Sequence, residues 1–233
     1  MPSKIKLNNN QGDTITLEHS DTISSLGSRV IPLDNITHKV STIAELRAMT
    51  ERPEFVYVEA YDDSGSTYGA FGSHFFKRSL VVVADNGGTV IQSVNDTYEL
   101  QYSGAVNVKW FGAVDNGIAN NITALNKAKL TGKSIYIPEG NFAYDGTITL
   151  NTEGQSVFGD GDKSILTQAS ASAYLYISAS SVSLRNFKFT GTGANGGIII
   201  NSDAGFIDID NIYFYQGNQR VWLWNCSEVN VLN

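Results

Sequence analysis

The sequence predicts a mainly β chain: a small N-terminal α+β/hairpin domain followed by a helix-capped parallel β-helix, a solenoid of stacked short strands. Three observations predict it. Only 17% of residues are charged against 42% hydrophobic, with 22 glycines, 4 prolines and few helix-favouring stretches, which suits strands joined by many turns. Short apolar runs in the C-terminal part recur every 22 to 25 residues. Between the two parts stands Trp110-Phe111-Gly112-Ala113-Val114-Asp115-Asn116-Gly117, followed by one helix-like stretch and by Ser134-Ile135-Tyr136-Ile137-Pro138-Glu139-Gly140-Asn141-Phe142. That succession has the form of an entrance to a solenoid.

Residues 1–35 are polar, with short alternations such as Thr14-Ile15-Thr16-Leu17, and read as an arm that Pro32 and the Asp34-Asn35 turn signal bring to an end. A small domain over 36–106 follows. Ser41 or Thr42 with Glu45 makes a capping box ahead of a short helix that Pro53 ends, and Ile43, Leu46 and Met49 share its buried face. Phe55-Val56-Tyr57-Val58, Phe75-Phe76 and Val81-Val82-Val83-Ala84 before Asp85-Asn86-Gly87-Gly88 read as short strands with hairpin turns. The loop Ser64 to Gly72 lacks the Lys-Ser/Thr of a phosphate loop and reads as a hairpin loop.

The entrance, in 107–233, is built from turn and cap chemistry. Asn116-Gly117 tolerates the positive φ of a tight reversal. Asn120 or Asn121 caps the helix, Ile122, Leu125 and Ala128 recur on one face with Ala124 beside them, and Gly132 stands at a left-handed C-cap. Ile135 and Ile137 then alternate as a first strand, and Pro138-Glu139-Gly140 turns a corner.

Repeats outrank local signals. Leu184-Arg185-Asn186-Phe187-Lys188-Phe189 matches Ile209-Asp210-Asn211-Ile212-Tyr213-Phe214 at an offset of 25. Ile198-Ile199-Ile200-Asn201 matches Trp222-Leu223-Trp224-Asn225 at 24, Tyr174 and Tyr176 fall on Ile198 and Ile200 at 24, and Val229-Asn230-Val231 returns to Ile207-Asp208-Ile209 at 22. Each turn supplies about three short strands, and stacking buries a continuous core that no turn buries alone. The leucine-rich alternative needs a regular leucine spacing that is absent.

A formal charge of −7 with no Lys/Arg-rich run argues against nucleic-acid or anionic-membrane partners. The first ten residues lack the apolar core of a signal peptide, and no run is long enough to span a bilayer, so cytosolic synthesis without membrane insertion is expected. Cys226 is the single cysteine, which excludes an intrachain disulfide and a one-chain thiolate cluster.

The Phe111-Gly112-Ala113, Asn116-Gly117, helix and Ile135-Tyr136-Ile137-Pro138-Glu139-Gly140 succession resembles the N-terminal motif of the pectate-lyase-like right-handed parallel β-helix family, and of bacteriophage tailspikes in particular. The region from Ile36 to Trp110, with Thr42-Ile43-Ala44-Glu45-Leu46, is similar to the small domain that precedes the β-helix in tailspikes. The family has aspartate before the glycine and an Asp-Asp-Thr cap where this chain has Asn116-Gly117 and Asn120-Asn121-Ile122. Asn turns and caps as Asp does, so the fold is retained, while a charge-dependent role of those aspartates is not carried over. The resemblance implies a virion protein made in the host cytoplasm. It implies a homotrimer whose N-terminal part attaches to phage tail or adaptor proteins and whose β-helix recognises bacterial surface polysaccharide. The chain stops within a repeat, at Val229-Asn230-Val231-Leu232-Asn233, where solenoids need a cap, and is expected to be the N-terminal portion of a longer protein. A catalytically complete polysaccharide depolymerase, lyase or glycoside hydrolase, is the alternative. A cell-surface adhesin or secreted pectinase requires a secretion signal.

For chemistry, Asp203, Asp208, Asp210 and Glu228 lie on the repeats, where paired carboxylates serve glycoside hydrolysis. Solvated faces, or pairing of Arg185 with Asp210, account for them better, and no catalytic residue is assigned; in the family these lie further along the β-helix. Asp160-Gly161-Asp162 reads as a turn, and His19, His38 and His74 lack metal-ligand spacing, so neither metal nor cofactor is expected. Trp222 and Trp224 share one side of a strand and are the candidate carbohydrate-binding residues if that side faces out. Alignment with Ile198 and Ile200 favours core or trimer packing instead. Asn201 and Asn225 are placed to stack as an internal ladder.

Overall fold

The computed structural model describes residues 5–8, 14–17, 21–22, 31–32, 38–62, 75–191, 197–201, 204–215, 220–224 and 227–232. The first strands form two antiparallel pairs, β1 (Ile5–Asn8) with β2 (Thr14–Leu17) and β3 (Asp21–Thr22) with β4 (Ile31–Pro32). The Ser64 to Gly72 loop, His19, His74, Asp203, Asn225 and Cys226 lie outside the described residues.

A five-stranded sheet follows, in the order β5-β6-β7-β9-β8, from β5 (His38–Val40), β6 (Phe55–Val58), β7 (Phe75–Arg78), β8 (Val90–Gln92) and β9 (Thr97–Leu100). Helix α1 (Ile43–Ala48) is nucleated by the expected capping box: Thr42 accepts from the Glu45 N–H at 3.2 Å, and the Ser41 N–H donates to the Glu45 carboxylate at 2.7 Å. Ile43, Leu46 and Met49 are buried with Val56, Val58, Phe76 and Tyr98. The helix stops at Ala48, well before Pro53, because Met49 already adopts an extended conformation.

Val81–Ala84, expected as a strand, forms none, and Leu80 is 97% exposed. A β-branched run becomes a strand only where it finds a free ladder, and the outer edge of β8 is taken by the turn: the Val90 and Gln92 N–H groups donate to the Asn86 and Asp85 side chains, and the Asn86 N–H donates to the Val90 carbonyl. The turn behind it does form. Asn86 Oδ1 accepts from the N–H groups of Gly88, Thr89 and Val90, and Asp85 accepts from those of Gly87 and Gln92.

The sheet joins the solenoid through aromatic packing. Gly88 lies so close to Phe111 that a Cβ would stand 2.3 Å from the ring, and Gly112, at φ +88°, faces Tyr61 in the same way. Tyr102 meets Trp110 edge to face at 5.0 Å. The 3-10 turn Val108–Phe111 leads through Asn116-Gly117 to helix α2 (Ile122–Leu130). Of the two candidate caps only Asn120 makes a side-chain bond to the first turn of the helix. Asn120 Oδ1 accepts from the Ile122 and Asp145 N–H groups, whereas buried Asn121 pins the loop by accepting from the Val114 N–H and donating to the Val114, Ala119 and Ala143 carbonyls. Ala124, Leu125 and Ala128 are buried, and Gly132, at φ +68°, ends the helix as expected.

All pairings beyond β10 (Val106–Asn107) are parallel and stack into three faces. The first rung comprises β11 (Ile135–Ile137), β12 (Gly140–Tyr144) and β13 (Thr147–Leu150), and the second β14 (Ser156–Gly159), β15 (Ser164–Gln168) and β16 (Tyr174–Ile177). In the third and fourth rungs the first two faces are spanned by one bent strand, β17 (Ser183–Gly191) and then β19 (Gly205–Tyr215), with β18 (Gly197–Ile200) and β20 (Arg220–Leu223) on the third face. Strand β21 (Ser227–Leu232) opens a fifth rung on β19. The fold is thus the mainly β, helix-capped parallel β-helix that the period predicts. Inward columns such as Ile148, Leu175 and Ile198, or Phe142, Leu166 and Phe189, supply a continuous core.

Candidate functional site

Which side chains face outward is fixed by register, since alternate residues of a strand point to opposite faces. On the first two faces the 25-residue offset holds residue for residue: Leu184 lies beside Ile209, Arg185 beside Asp210 and Phe189 beside Phe214. The 22-residue return of Val229 to Ile207 holds as well. On the third face the offset is one residue shorter than expected. Ile199, not Ile198, pairs with Trp222, and Tyr174 and Tyr176 pair with Gly197 and Ile199.

That single step reverses the reading of the aromatic residues. Ile198 and Ile200 are fully buried beneath Val221 and Leu223, so the ring of Trp222 points away from the core. The alignment missed this because a run of three isoleucines matches itself equally well when slipped by one. Tyr174, Tyr176 and Trp222 thus share the outer surface of the third face. Gly197, which carries no side chain, lies between Tyr174 and Arg220 on neighbouring rungs, and the Tyr174 and Trp222 rings approach to 6.1 Å. Ile199 points outward too, yet remains only 8% exposed, flanked by Tyr176 below and Trp222 above. Trp224 follows the end of β20, 56% exposed, its backbone N–H donating to the Ile200 carbonyl at 3.0 Å.

The acidic candidates lie on the first face. Asp208 and Asp210 are half-buried on its outer surface, and Arg185, although in register with Asp210, makes its ion pair with Asp208 at 3.9 Å. Asn230 donates to Asp208 at 3.2 Å. Glu228 is exposed in a left-handed conformation at φ +54°. These contacts are those of a solvated face. Asp160-Gly161-Asp162 enters the 3-10 turn Gly161–Lys163, and Asp160 accepts from the Tyr136 hydroxyl at 2.6 Å and the Glu139 N–H at 3.1 Å. Burial, with Asp160 close by, holds that tyrosine hydroxyl protonated far above its usual range. Among the described residues no group of three or more His, Cys, Asp and Glu side chains is arranged to hold a metal ion, and no helix is long and apolar enough to cross a membrane.

Residues 39–103 match the family described as phage tail protein small four-stranded beta-sheet domain. Most of the chain superposes on solved tailspikes. With Acinetobacter phage vb_AbaP_AS12 gp42 tailspike the TM-score is 0.61 at 14% identity, covering 82% of this chain and 38% of that one. With full-length tailspike protein 2 of Escherichia coli O157:H7 bacteriophage CAB120 it is 0.55 at 17%, covering 97% and 36%. The fold is that of a phage tailspike. Pantoea stewartii WceF, described as a glycan biofilm modifying enzyme with a bacteriophage tailspike-like parallel beta-helix fold, gives 0.51 at 12%, covering 99% of this chain and 43% of that one. No curated protein sequence matches. The chain spans 34–43% of the length of the leading structures.

Within this tailspike fold, Trp222 is held by β20 and steadied by Tyr174, whereas Trp224 stands beyond the strand. The outer tyrosines and lysine at the end of β19 and β17 escaped the sequence reading. Their signal was present in the match of Lys188 to Tyr213, the polar or tyrosine position of the repeat.

Proposed function

We propose that this chain is the tail-proximal part of a phage tailspike whose solenoid binds a bacterial surface polysaccharide through outward aromatic residues. The observation that carries the reading is the outer cluster of Tyr174, Tyr176 and Trp222 on the third face. Aromatic rings, apolar on the face and polar at the edge, suit the C–H faces of sugars. Trp224, exposed one step further on, extends the platform.

In this reading residues 1–35 and the small domain 36–106 attach to tail or adaptor proteins, and 107–233 begin the recognition module. The match of 39–103 to a phage tail domain family supports the first assignment. Three copies assemble, and the protein is made in the host cytoplasm before entering the virion. A longer chain carries further rungs and any cleaving carboxylates, since the leading structures are more than twice as long.

A printed array of bacterial capsular and O-antigen polysaccharides tests the proposal. Wild type should bind a subset of the spots, and Trp222→Ala should weaken that binding by about tenfold with an unchanged melting temperature. Loss of melting temperature instead would return Trp222 to a packing role. Sedimentation should give three times the chain mass, and a monomer at micromolar concentration would reject the trimer. Release of oligosaccharides from a bound polysaccharide would favour the depolymerase alternative.

A further inference from the structure

The apolar run that begins at Leu80 forms no strand and crosses open surface on the small sheet. It is pinned at both ends. The Ser79 N–H donates to the Thr97 carbonyl at 2.8 Å, and the Val83 carbonyl accepts from the Gln92 side-chain amide at 3.1 Å. Between those points Leu80, Val81 and Val82 are 97%, 64% and 89% exposed, and Val94, 62% exposed, joins them around one hollow of about 410 Å³. Single exposed aliphatic residues are ordinary, but four gathered round one concavity mark an interaction surface. Because the run is already fixed, little ordering cost remains for a partner to offset.

The shape and the charges of this surface decide what fits it. Leu80 also lines a second hollow of about 430 Å³, so a projecting side chain stands beside two depressions. The first hollow holds Arg52 and Asp96, joined by two hydrogen bonds of 2.7 and 2.8 Å, and the second adds Glu54, Lys77, Arg78 and Glu99. Three cations thus balance three anions, and the surface is neutral on a chain of net charge −7. A strongly charged partner finds nothing there to steer it. A second copy of the chain also carries −7, and repulsion between copies is least where the local charges cancel. Knob and hollow lie side by side, not on one spot, which suits a head-to-tail contact: Leu80 of one copy enters the hollow of the next, and three such contacts close a ring.

We propose that Leu80, Val81 and Val82, with the hollow beside Val94, form the contact through which the small domains of three copies associate; the assignment rests on the trimer reading above. The contact covers apolar surface that a lone chain leaves in water, and that hydrophobic gain opposes the repulsion between copies.

Sedimentation equilibrium of the 233-residue chain, from nanomolar to micromolar concentration, tests the contact. Leu80→Asp and, separately, Val82→Asp should each weaken trimer association by at least about tenfold. Their circular dichroism should be unchanged, because both side chains lie outside the packing of the single chain. Ile118→Asp, at a position 85% exposed on the solenoid entrance, should leave association as it is. Trimers of unchanged affinity in Leu80→Asp and Val82→Asp, or equal weakening by Ile118→Asp, would overturn this contact while leaving the trimer reading intact. A wild-type chain that stays monomeric would overturn the trimer reading and the contact with it, leaving the surface to a tail or adaptor protein.

Discussion

The Asn211 side-chain amide donates to Asn186 Oδ1 at 2.8 Å, one rung and 25 residues away, and both residues hold positive φ. Asparagine tolerates that conformation better than other side-chain-bearing residues and adds a hydrogen bond along the stack. Asn211→Ala should therefore cost about 1–2 kcal/mol, from strain and the lost bond together. Asn211→Gly, which loses only the bond, should cost less. Urea unfolding of the two variants separates the terms, and equal losses would reject the strain component.

The junction between the small sheet and the solenoid has its own sensitive point. Gly88 faces the Phe111 ring so closely that even a methyl group must displace it, whereas Gly104, at φ +80°, has open space around it. Gly88→Ala should destabilise by about 1–3 kcal/mol through overpacking. Gly104→Ala should cost about 1 kcal/mol from its left-handed backbone alone. Comparable melting temperatures for the two would mean that Phe111 yields without penalty.

Much of the fold was legible because its determinants are local. The capping box at Thr42 and Glu45, the turn at Asn116-Gly117 and the cap at Gly132 act within a few residues, and each appears where the sequence places it. The 25-residue match was legible because Asn186 and Asn211 interrupt alternation at one position in each repeat, which fixes register. The third face has no such marker: Ile198, Ile199 and Ile200 are interchangeable by pattern, so a one-residue slip went undetected and turned Trp222 inward on paper. Val81–Ala84 failed for another reason. Strand propensity is local, but an available edge is not, and the Asp85 and Asn86 side chains already take the outward N–H groups of the edge strand β8.

The small sheet should carry a pH signature. Asp85 is buried enough to raise its pKa, but the bidentate Arg47 guanidinium and the Gln92 and Gly87 N–H groups outweigh that and hold it below the usual carboxylate range. Arg52 does the same for Asp96. Groups with lowered pKa contribute stability above their unfolded value, about 3.9, and lose it as pH falls through the folded value. Arg47→Ala should cost about 1 kcal/mol at neutral pH, with the gap to wild type closing below about pH 4. A gap independent of pH would assign the effect to packing of the arginine stem.

The register of the third face yields the sharpest contrast between neighbours. Ile198 points into the solenoid beside Leu175 and Val221, whereas Ile199, equally apolar and also buried, points outward between Tyr176 and Trp222. A lysine at 198 has no route to water and strands a charge in the core, so Ile198→Lys should abolish cooperative unfolding. At 199 the lysine stem can lie against the two rings with its ammonium in solvent, a position that also favours a cation–π contact. Ile199→Lys should stay folded, within about 1.5 kcal/mol of wild type. The reverse order of stabilities, measured by urea denaturation, would require the 24-residue register and would return Trp222 to the core.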